Sequence, residues 1–121
     1  MKINFKWLSI LALLAVLTWH CEDLPTGVET RGDNEVWIFS GHFEPSTLTV
    51  SVGTRVTWKN KDSGTHSVDP GTLGAPTKAF IGSRNLDTND TFSVTFSNAG
   101  SVKYYCAIHQ NNLKEGTIIV Q

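Results

Sequence analysis

Two stretches of this chain alternate apolar and hydroxyl side chains with a period of two. Leu48, Val50 and Val52 interleave with Thr47, Thr49 and Ser51, and Phe92, Val94 and Phe96 with Thr91, Ser93 and Thr95. That period suits an extended strand with one buried and one wet face, because successive strand side chains point to opposite sides. Residues 36–39, 55–59, 101–105 and 117–120 add further runs of β-branched and aromatic side chains. Residues 53–54, 60–64, 87–90 and 98–100 break these runs with Gly, Asn, Asp and Ser, the residues that favour turns. No stretch of any length has a credible helical pattern. The expected fold is all-β, a Greek-key sandwich or barrel of about seven to eight short strands.

With 121 residues there is room for one core, since single cores enclose roughly 100 to 150 residues. We place it at 35–121. Upstream, Lys2 and Lys6 precede an apolar run over 7–17, shorter than the ~20 residues that span a bilayer. Residues 1–20 are therefore expected to be a signal peptide, and the protein to be exported. Cys21 follows directly, ahead of Glu22 and Asp23, an arrangement that resembles a bacterial lipoprotein signal whose cysteine is lipidated. Trp19 and His20 stand where that signal prefers small residues, so the alternatives are an uncleaved anchor or a plain signal peptide with a poor site. Lipidation or an anchor would hold a monomer at a membrane, in the periplasm or at the cell surface. Residues 21–34 are polar, carry Gly and Pro, and read as a flexible tether. Beyond the leader, 8 basic residues face 11 acidic ones, a net of −3. Such a surface does not attract nucleic acid.

Of the two cysteines, Cys21 lies at the leader boundary, and its lipidation would leave Cys106 as a lone thiol in an oxidising compartment. Cys106 and His109 lie three residues apart just after a predicted strand, and His66 sits in the turn-rich stretch 60–66. Singly, each has an ordinary reading: a buried cysteine as a small hydrophobe, a loop histidine as a solvated side chain. Together they make one thiolate and two imidazoles, a set that suits copper in a trigonal arrangement with a weak axial contact. A rigid β scaffold can impose a geometry between those that Cu(I) and Cu(II) prefer, which reduces rearrangement on electron transfer. A closed zinc site wants four nitrogen or sulfur ligands, and the domain offers Cys106 with His42, His66 and His109, of which His42 is placed elsewhere.

Five segments, in order, resemble the cupredoxin family, especially its plastocyanin, pseudoazurin and halocyanin branch: 43–50 with 53–60, 62–68, 86–96, 100–109 and 116–120. The resemblance implies one copper ion held by His66, Cys106 and His109, with His109 near the surface as the exit for the electron. It also places the axial ligand at Lys114, where the family usually has Met; the only Met here is Met1. A lysine must lose its proton to coordinate, against a reference pKa of ~10.4. The alternatives are a backbone oxygen such as that of Thr65, a side chain of Gln110, Asn111 or Asn112, or only the apolar Leu113. The expected function is single-electron transfer between redox proteins. The runner-up is a module that stores or delivers copper, which the absence of Met-rich or His-rich tracts disfavours. An enzyme would need further ligands that the domain lacks. The Gly/Pro stretch 71–77 reads as a connecting loop.

Overall fold

A computed structural model describes residues 27–109 and 115–121. Cys21, the leader and Lys114 lie outside the described residues. Among the described residues, nine strands form two sheets: β1 (Glu35–Phe39), β2 (His42–Glu44), β3 (Thr47–Val50), β4 (Thr54–Asn60), β5 (Asp69–Thr72), β6 (Ala75–Pro76), β7 (Thr91–Phe96), β8 (Gly100–Tyr105) and β9 (Gly116–Val120). One sheet runs β2-β1-β4-β7 and the other β3-β9-β8-β5-β6. The fold is thus an all-β sandwich, and among the described residues no helix is long and apolar enough to cross a membrane.

The core lies where the apolar faces of the sheets meet. In β4, Val56, Trp58 and Asn60 are buried while their neighbours are less so, the alternation expected of a strand with one inner face. Trp58 meets Tyr104 of the opposite sheet edge-on, with ring centroids 5.2 Å apart. Phe80, Phe92 and Phe96 surround it at 6.1, 5.9 and 6.3 Å. Aromatic pairs favour such tilted and edge-on arrangements, and truncating a buried tryptophan typically costs ~3–5 kcal/mol. Burial pushes the Tyr104 phenol up to about 12; nearby Trp58 tempers the rise, although neither the phenol oxygen nor the indole nitrogen completes a hydrogen bond.

Two pairings are parallel, β1 with β4 and β3 with β9. After β2 the chain crosses to the second sheet as β3, then returns as β4. β9 lies between β3 and β8 and is antiparallel to β8, with Gly116 opposite Tyr104. A Cβ at Gly116 would collide with Cζ, Oη and Cε2 of Tyr104. Only glycine lets the tyrosine ring approach the start of β9 so closely.

The alternation through Val52 ends early, because β3 stops at Val50 and Val52 is exposed. The chain turns there at Gly53, whose φ of 88° favours glycine, and Gly53 N donates to Phe96 O at 2.7 Å. The expected loop at 71–77 is mostly hairpin: β5 and β6 pair through Gly71 with Pro76 and Thr72 with Ala75. β5 in turn lies along β8, with Asp69 opposite Tyr105. Within 27–34, Glu29 binds both Lys59 and Lys61, which draw its carboxyl down to about 2. Lys61 also sits 5.0 Å over the Trp37 ring.

Candidate metal centre

The loop between β4 and β5 is shaped from below by one buried side chain. Asn60, at the end of β4, is fully enclosed. Its Nδ2 donates to Gly64 O at 2.7 Å and to Leu86 O at 2.9 Å, and its Oδ1 accepts from Asp62 N at 2.9 Å. These bonds fold 60–64 into a compact turn and use most of what an asparagine amide can offer. Thr88 Oγ1 donates to Asp62 O at 2.8 Å and ties the turn to the segment before β7.

The turn aims Asp62 at His66. Asp62 Oδ1 accepts from Ser63 N at 2.9 Å, and Oδ2 lies 2.8 Å from His66 Nε2. That bond is the main cause holding the Asp62 carboxyl below its ordinary value. The His66 backbone is fixed as well, exchanging hydrogen bonds with Leu86 at 3.0 and 2.8 Å. A carboxylate facing Nε2 favours the tautomer that donates from there and leaves Nδ1 its lone pair. Nδ1 faces Cys106 Sγ at 3.9 Å.

Cys106 follows β8 directly. It is 1% exposed and forms no disulfide among the described residues. Its sulfur accepts the N–H of Ser67 at 3.2 Å. His109 is exposed and tilts its ring toward His66, with centroids 4.8 Å apart. The candidate donor atoms of His66, Cys106 and His109 all lie within 4.8 Å of one another. Bonds of about 2.0–2.3 Å to a shared ion put neighbouring ligand atoms roughly 3.5–4 Å apart, so the spacing fits one ion. The donor set fits too: a cysteine sulfur with two imidazoles is a copper set.

The structure therefore brings together the three residues expected from sequence. His42 lies on β2, stacked on Phe39 at 5.2 Å and 3.7 Å from Glu44, and takes no part. Asp62, Ser67 and Asp69 are the polar partners that sequence reasoning passed over. Ser67 Oγ donates to Asp69 Oδ2 at 2.6 Å and accepts from Ala107 N at 3.0 Å. The one available signal was their closeness in sequence to His66.

Residues 10–120 match the family model described as a cupredoxin-like domain. The chain is 34% identical over 84 residues to plastocyanin from Scenedesmus fuscus, covering 65% of this chain and 86% of that protein. To halocyanin from Natronomonas pharaonis it is 32% identical over 102 residues, covering 77% of this chain and 60% of that protein. Among solved structures, a novel purple cupredoxin from Nitrosopumilus maritimus superposes with a TM-score of 0.64 at 29% identity, covering 72% of this chain and 98% of that one. A two-sheet sandwich with a buried cysteine and two convergent histidines at its rim, matched along nearly its whole length, belongs to the cupredoxin-like family, whose cofactor is copper.

Proposed function

We propose that this chain is a type 1, or blue, copper protein that carries single electrons between redox proteins outside the cytoplasm. The observation that carries the reading is the convergence of His66, Cys106 and His109 within 4.8 Å. Copper bound there supplies a one-electron couple. Cys106 is the thiolate anchor, buried where its charge is stabilised by the Ser67 N–H. His66 is the fixed inner ligand, its ring oriented by Asp62. His109 is the exposed ligand and the path by which the electron leaves. All three are committed to one ion, and His42 is engaged by Phe39 and Glu44, which favours a carrier over an enzyme.

The test is direct. Purified protein given Cu(II) should turn intensely blue and bleach with dithionite; a colourless product with Cys106 still free would overturn the reading. By spacing, Lys114 is the candidate axial ligand. Visible spectra of wild type and Lys114→Met across alkaline pH should then differ, and an identical response would exclude coordination by Lys114. Attachment through Cys21 predicts that Cys21→Ala releases a soluble protein, whereas continued membrane association would point to an uncleaved anchor.

A further inference from the structure

We infer that Asp69 is a positioning residue for the metal centre: it takes the hydroxyl proton of Ser67 and thereby keeps that proton off the Cys106 sulfur. The inference rests on the copper reading above. Ser67 is 5% exposed, and its Oγ has two acceptors in reach, Asp69 Oδ2 at 2.6 Å and Cys106 Sγ at 3.8 Å. A hydroxyl owns one proton, so it can serve only one of them. The carboxylate is both closer and the stronger acceptor. The oxygen is also held by Ala107 N–H at 3.0 Å, which occupies a lone pair and fixes Oγ beside the ligand loop. Asp69 is itself confined, because even a Cβ at Gly82 would come within 2.6 Å of its Oδ1. Among the described residues, the sulfur is left with a single good hydrogen bond, from Ser67 N at 3.2 Å.

Hydrogen bonds to a ligand sulfur withdraw electron density from it, which favours the reduced metal and raises the potential. A second such bond is one rotation of the Ser67 hydroxyl away. Asp69 prevents that rotation and so holds the potential down, beyond what its negative charge alone does. Asp69→Ala should free the proton to turn toward sulfur, while Asp69→Asn keeps an acceptor oxygen in place and removes only the charge.

The experiment compares the sulfur-to-copper absorption band and the reduction potential of wild type, Asp69→Asn, Asp69→Ala, Ser67→Ala and the Ser67→Ala/Asp69→Ala double variant. Asp69→Ala should move the band to shorter wavelength and raise the potential. Asp69→Asn should raise the potential less and leave the band nearly in place. In the Ser67→Ala background, adding Asp69→Ala should leave the band where it was. Equal band shifts in both backgrounds, or none in Asp69→Ala, would overturn the inference while leaving the copper reading intact. A wild type that takes up no copper would overturn both. A readout without metal is the Ser67 hydroxyl proton by NMR, expected as a slowly exchanging downfield resonance in wild type and lost in Asp69→Ala. Its absence from the wild type would also overturn the inference.

Discussion

His66 and His109 are the same residue at two depths of one site. His66 is 2% exposed, bridged to Leu86 through its backbone and to Asp62 through its ring. His109 is exposed and sits on the short loop that follows β8. One candidate ligand is held by the fold and the other is presented to solvent. The contrast shows how a small sandwich can hold one side of a site rigid while leaving the other open to solvent: rigidity is concentrated on the inner side, access on the outer.

The largest expected effect tests that division directly. His66→Gly and His109→Gly should both abolish the blue colour, but added imidazole should restore it only in His109→Gly, where the lost ring opens to solvent. Rescue of both variants by imidazole would erase the distinction. Next, Asp62→Ala should weaken copper binding about 10–100-fold, the usual cost of losing a carboxylate behind a ligating imidazole. Asp62→Asn, which retains an acceptor oxygen, should lose less; competition with a chelator measures both. In the buried core, Gly116→Ala forces a methyl against the ring of Tyr104, two residues before Cys106. Its expected cost is about 1–3 kcal/mol in urea unfolding, typical of overpacking.

The smallest effect concerns acid. Glu29 binds Lys59 and Lys61, the two neighbours of Asn60, so it clamps the base of the inner loop from outside. Its folded pKa of about 2 lies below the ordinary 4.5. The stability it adds is therefore present above the ordinary value and lost as pH falls from there through the folded one. Glu29→Gln should lower the unfolding temperature slightly at neutral pH, and the gap from wild type should close as the medium is acidified. The group is exposed, so added salt should shrink the gap as well.

These braces also mark where sequence reasoning runs out. Period-two alternation gave away Thr91–Phe96, and β-branched runs gave away the centres of β1, β4, β8 and β9. Asp69–Thr72 and Ala75–Pro76 were hidden, because Asp, Pro and Gly are poor strand formers and become strands only by lying against β8. His42–Glu44 is three residues long, too short for any period to show. In the site, Cys106 and His109 advertise themselves by local spacing, and His66 by its turn. Asp62, Ser67 and Asp69 are common polar residues whose roles depend on side-chain directions set only once the sheets have packed.

The parallel pairing of β3 with β9 has a consequence for how the protein comes into being. Thr47–Val50 pairs with Gly116–Val120, and the same residues pair with β8, the strand that leads into Cys106. The second sheet thus depends on a pairing between strands far apart in sequence, and folding governed by such distant contacts is slow. Cys106, directly after β8, is therefore set in its final place only once Gly116–Val120 has joined both of its neighbours. Copper is expected to bind tightly only to the closed sandwich, so refolding with and without the metal should give the same folding rate.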